Sequence, residues 1–235
     1  MQSFSTTLFA DADAEYSSAD YVLFGVPFDG TTSFKAGCRD APLAIRQVSY
    51  NIETYLPFYD LEMTDVSVHD MGDMYVECLP DLMVEQVADA VSDLMKDEKV
   101  PIMMGGEHSV TIGAVQTLKP KWYVVCDAHL DMQDEYRGSP FNHDCVTARV
   151  SEAVENIVII GARSGCREEF EFARENYHLY TADDVEERGI RSVLDEVSEL
   201  IGDDSLYLSI DADAIDCCMT PGLGTPEPFG LSPKD

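Results

Sequence analysis

The stretch "WYVVCDAHLD", residues 122–131, decides the fold. Its apolar half is continuous rather than alternating, which describes a strand covered on both faces, the habit of parallel sheets. Its polar half sets Asp127, His129 and Asp131 at every second position. Alternate residues of an extended segment face one side, so all three can aim at one place. Open parallel sheets bind ligands beyond the carboxyl ends of their strands, so a site is expected where this run ends.

Working outward, similar short apolar runs occur at 21–26, 66–70, 101–105, 157–162 and 206–211, with a weaker one at 177–180. Helical periodicity covers 80–97, 109–118, 143–154, 166–176 and 190–201. Strands alternating with helices predict one α/β domain over residues 1–235, without internal repeats, low-complexity segments or linkers.

Asp plus Glu number 45 against 15 Lys plus Arg, a formal charge of −30. That balance argues against nucleic acid as a partner, because neutralising phosphates needs a basic face. It disfavours an anionic membrane surface for the same reason. Seven cysteines without a CxxC pair read as reduced thiols, and no signal peptide or membrane-length apolar run is present. A cytoplasmic protein is the expectation.

Two further clusters fall at strand ends, "GGEHS" (105–109) and "SIDADAID" (209–216). A lone His108 after two glycines also reads as a hydrogen-bonded loop histidine, and a lone Asp-x-Asp as a strand end or helix cap. Three clusters at one sheet edge favour a metal site. Asp127, Asp131, Asp211 and Asp213 would repel one another without cations. Four carboxylates and two imidazoles carry enough charge for two divalent ions, and oxygen-rich ligation favours Mn²⁺ over Zn²⁺.

"GGEHSV", "DAHLD" and "SIDADAID…GLGTPEP" together resemble the signatures of the ureohydrolase family, which includes arginase, agmatinase and formiminoglutamase. "GVPFDGTTSFKAGCRDAPLAIR" (25–46) and "HDMGD" (69–73) extend the resemblance over most of the chain from residue 20. It implies a three-layer α/β/α sandwich with a mostly parallel sheet, assembled as a homotrimer or homohexamer. It also implies two Mn²⁺ ions, one on His108, Asp127, Asp131 and Asp211, the other on His129 and Asp213, with Asp127 and Asp211 bridging. The implied reaction is hydrolysis of a guanidinium to urea and an amine, with His143 of "SPFNHDCV" shuttling protons. Spacing alone would equally make His143 the cap of a helix beginning at 144. Glu227, in the rigid glycine- and proline-rich loop, is a candidate contact for a cationic substrate, although a turn-exposed carboxylate is the commoner reading. Arg163 matches a family arginine and reads as scaffold, and His69 and His178 as structural.

Departures from the family pattern are Asp216-Cys217 for Asp-Pro, Glu107 for Asp before His108, and a missing glycine in "GCRDAP". "LSPKD" (231–235) has the form of a helix start. The resemblance implies a further helix, a strand and a guanidinium-gripping glutamate that no residue here matches. The domain is therefore expected to be shortened at its carboxy terminus, binding metal but turning over weakly. "GARSGCREEF" (161–170) lacks the acidic segment with which arginases receive an α-amino group, and "DEYRGSPFNHDCV" (134–146) resembles archaeal-type agmatinases. Agmatine is thus the expected substrate, cleaved to urea and putrescine. Formiminoglutamate or another guanidino acid stays open, because Arg137 offers a carboxylate partner. A catalytically silent metal-binding homologue and a deacetylase on a related fold are the rivals from other classes.

The charge of −30 predicts a salt-adapted protein, since ions screen self-repulsion among surface carboxylates. The urea midpoint of unfolding is expected to rise with added NaCl; undiminished stability in dilute buffer would contradict this.

Overall fold

The computed structural model describes residues 7–235. Seven strands, β1 (Tyr21–Val26), β2 (Val68–Asp73), β3 (Val100–Gly105), β4 (Trp122–Cys126), β5 (Asn156–Ala162), β6 (His178–Thr181) and β7 (Leu206–Ile210), pair only in parallel. They form two ladders, β2-β1-β3 and β6-β5-β4-β7. The parallel pairing expected from the apolar runs is present, and no backbone pairing joins β3 to β7 among the described residues. Their carboxyl ends instead line a shared cavity.

The period of two along each strand sorts the core into layers. Tyr123, Val125, Ile157 and Ile159 face one side, with Val22, Phe24 and Val26. There they meet α2 (Pro80–Lys96), α3 (Val110–Leu118), α4 (Val146–Ser151) and α5 (Arg167–Asn176). Trp122, Val124, Val158 and Ile160 face the other side, against Val185 of α6 (Ala182–Arg188) and Val193, Val197 and Ile201 of α7 (Ile190–Ile201). Three layers result, and no described helix is long and apolar enough to cross a membrane. Gly113 of α3 lets the helix pair close up: a Cβ there would lie 2.3 Å from the Val84 carbonyl oxygen of α2.

Two helices escape the periodicity reading. α1 (Ala41–Ser49) buries Pro42, Arg46 and Ser49 and exposes Leu43, Ile45 and Val48, so its buried face is not its apolar one. α6 has few apolar residues, yet Thr181 caps it and Asp184 answers in a capping box.

The inverted face of α1 has an electrostatic cause. Arg46 Nε donates to Asp70 Oδ2 at 2.7 Å and its Nη2 to Asp70 Oδ1 at 2.9 Å, while Nη1 pairs with Asp73. "DAPLAIR" and "HDMGD" are thus tied together by a buried ion cluster. Arg46→Met would strand the Asp70 carboxylate in the interior. It is expected to cost about 3–5 kcal/mol in urea unfolding, with part recovered in the Arg46→Met/Asp70→Asn double variant.

Candidate metal centre

Short turns, more than strand alternation, bring the acidic residues together. Asp127 Oδ1 accepts the His129 backbone N–H at 2.7 Å, and Asp211 Oδ1 accepts that of Asp213 at 2.9 Å. Each is an Asx turn in which an aspartate clamps the residue two positions on. The extended alternation expected through residue 131 breaks at Asp131, whose φ of 52° is left-handed. That bend sends its carboxylate back to His108, with Oδ2 2.9 Å from Nδ1. His108 arrives from the loop after β3, where Gly106 passes so close to Phe28 that a Cβ would lie 1.8 Å from its carbonyl oxygen. Only glycine fits that approach.

Two groups of side chains result. His108, Asp127 and Asp131 place ligand atoms within 4.8 Å of one another, as do Asp127, His129 and Asp213. Asp127 belongs to both: its Oδ2 lies 3.0 Å from His108 Nδ1 and its Oδ1 3.5 Å from His129 Nδ1. His129 Nδ1 also lies 3.1 Å from Asp213 Oδ2. Asp211 stands outside both tight groups, with Oδ2 3.8 Å from His108 Nδ1. Asp127 thus touches both histidines, while Asp211 borders the His108 side. The far nitrogen of His108 faces Ser209 Oγ at 3.1 Å, which fixes the ring with Nδ1 towards the carboxylates.

Charge decides what this arrangement suits. Burial and the neighbouring Asp127 push Asp131 up to about 7, and burial with Asp127 and Asp213 raises Asp211 well above the carboxylate range. Burial opposes charge on the histidines, yet hydrogen bonds to Asp127 and Asp213 push His129 up to about 11, and contacts with Asp127 and Asp131 help raise His108. Asp127 is held low despite burial by His108 and His129. Even with both imidazoles protonated, four carboxylates leave an excess of negative charge. The donor set of oxygens and imidazole nitrogens fits two divalent cations.

These residues line a cavity of about 740 Å³ that also takes in His143, Glu107 and Lys35. Asn142, not His143, caps the 3-10 turn His143–Cys145 before α4. His143 Nδ1 lies 3.2 Å from Thr31 Oγ1, and Nε2 lies 3.2 Å from Ser33 Oγ. Burial and the charged His129 and His108 push His143 down to about 4, so the ring is neutral at neutral pH. The cavity wall nearby is Pro221–Thr225; Glu227 instead lies 3.6 Å from His129 Nε2 and accepts from Ser164 Oγ at 3.2 Å. Arg163 donates to the carbonyls of Gly161, Asp213, Ala214, Glu227 and Pro228, a scaffold role. His69 hydrogen-bonds Ala14 O, and His178 packs against Trp122. Sequence reading passed over Thr31, Ser33 and Ser209. All three lie within segments that carry the family resemblance, 25–46 and 209–216.

The arginase family model matches residues 19–235. The N(1)-aminopropylagmatine ureohydrolase of Thermococcus kodakarensis is 43% identical over 220 residues, 92% of this chain and 75% of that protein. The agmatinase of Pyrococcus horikoshii is 39% identical over 219 residues, 92% and 76% of the two chains. Among solved structures, the agmatine ureohydrolase of Thermoplasma volcanium superposes with a TM-score of 0.89 at 40% identity, covering 97% of this chain and 79% of that one.

Because Asp127 serves both groups, Asp127→Asn is expected to weaken both metal sites, whereas His129→Ala weakens one. Calorimetric titration with Mn²⁺, and separately with Zn²⁺, measures this. At pH 8 the same titration should release protons, since His129 must shed one to bind. Heats independent of the buffer's ionisation enthalpy would contradict the assignment.

Proposed function

The chain belongs to the arginase family, and we propose that it is a dinuclear manganese ureohydrolase acting on agmatine. The observation that supports this best is the sharing of Asp127 between two ligand groups in an acidic cavity that His143 also lines. A guanidinium is a delocalised cation, so a cavity walled by carboxylates attracts it. The nitrogen and oxygen donors, with no cysteine in either group, suit Mn²⁺. Bound divalent ions supply positive charge that eases loss of a proton from water at neutral pH. His143, neutral at that pH, takes up the proton that the attacking water loses and returns it to the departing amine nitrogen. His108 and His129 stay fixed through their second nitrogens. Exposed apolar residues on α1 and beyond it, among them Ile45, Val48, Ile52 and Phe58, offer a face for self-association, and a trimer or hexamer is the assembly proposed.

N1-aminopropylagmatine is the second reading, favoured by the name of the 43% identical Thermococcus relative. Both substrates carry a guanidinium at one end and lack an α-carboxylate. With Mn²⁺ added, urea release is expected to be fastest from one of these two, ahead of arginine and guanidinobutyrate. Formiminoglutamate should yield no formamide. His143→Ala should lower kcat about a hundredfold and leave the metal stoichiometry unchanged. No product from any substrate, with two ions bound, would instead identify a silent homologue.

A further inference from the structure

Beside the metal ligands, a line of three residues runs from the loop after β3, through the loop after β1, to His143. Glu107 is buried, and a backbone N–H meets each of its carboxyl oxygens. That of Thr31 reaches Oε1 at 3.2 Å, and that of Ser109 reaches Oε2 at 2.7 Å. A main-chain N–H can only donate, so both oxygens of Glu107 act as acceptors. The Thr31 hydroxyl lies 2.6 Å from Oε1 and donates to it when Glu107 carries its charge. Its single proton is thereby committed.

Two lone pairs remain on Thr31 Oγ1, and His143 approaches both. Its backbone N–H donates to Oγ1 at 3.0 Å, and ring Nδ1 lies 3.2 Å from the same oxygen. An oxygen whose proton is already given to Glu107 has nothing to offer Nδ1. The ring nitrogen must supply the hydrogen. Ser33 Oγ, 3.2 Å from Nε2, can donate or accept and so does not decide the tautomer. Tyr136, edge-on to the ring at 6.1 Å, packs against it without a polar preference.

We propose that Glu107 and Thr31 are positioning residues that hold His143 as the Nδ1–H tautomer, with the lone pair of Nε2 left to carry the proton. The inference rests on the reading of His143 as the proton-transfer group. It gives Glu107 a task, since this carboxylate neighbours a ligand yet turns both oxygens towards Thr31 and Ser109. It also explains how one nitrogen of a neutral ring is reserved for chemistry while the other is locked to the scaffold. Neither Thr31 nor Glu107 touches the substrate in this scheme.

The tautomer can be observed directly. Protein labelled with ¹⁵N-histidine and loaded with diamagnetic Zn²⁺ gives long-range ¹H–¹⁵N correlations, and comparison with His143→Asn identifies the His143 ring. The wild type should show the hydrogen on Nδ1. Thr31→Val, which keeps the shape and removes the hydroxyl, should shift the ring towards Nε2–H. Thr31→Ser should restore the wild-type pattern. In Mn²⁺-loaded enzyme, Thr31→Val should lower kcat by at least about tenfold with KM little changed, and Thr31→Ser should recover it. A wild-type ring found as Nε2–H, or one unaltered in Thr31→Val, overturns the proposal. A tautomer that shifts as expected while turnover is untouched upholds the positioning and removes His143 from proton transfer.

Discussion

Mutual repulsion among four carboxylates at one sheet edge is the constraint on which the site depends. Asp127, Asp131, Asp211 and Asp213 are gathered around His108 and His129. Buried charge of one sign is unfavourable unless compensated, and the pKa shifts record how protons compensate it: Asp131 rises to about 7 and His129 to about 11. Such a cluster is costly for folding alone, which makes function the economical explanation for it.

The scaffold meets that cost with rigidity. Two Asx turns fix Asp127 and Asp211 against their own loops. Arg163 gathers carbonyl oxygens from the 213–228 loop, so the segment carrying Asp213 is stapled to the end of β5. On the other ladder, the buried Arg46–Asp70 pair anchors α1 beneath β1 and β2. Neither arginine lines the cavity. The guanidinium groups of the protein itself serve as main-chain and carboxylate clamps, which leaves the acidic wall free for a guanidinium from outside.

The three histidines of the cavity are sorted by their neighbours. His108 and His129 face carboxylates and are pushed towards the charged form; His143 faces hydroxyls and other cations and is pushed towards the neutral one. Identical side chains thus differ in the proton they favour through their surroundings alone. Their separate polar neighbours, Ser209 for His108, the Glu227 carboxylate for His129, and Thr31 and Ser33 for His143, reinforce the division.

The strand pattern, the parallel class and the three polar clusters were legible because each follows from local order along the chain. Every expected strand formed to within a few residues, since a continuous apolar run has few other ways to be buried. α1 was illegible because its inward face is an arginine satisfied by Asp70 and Asp73, residues far along the chain. Sequence alone therefore determined which residues carry charge to the sheet edge. Tertiary structure decided that Asp127 belongs to both groups, that Asp131 bends back to His108, and that Glu107 meets Thr31 where Thr31 meets His143. Those contacts join segments separated by up to 112 residues, and no spacing along the chain encodes a distance that only the packed ladders create.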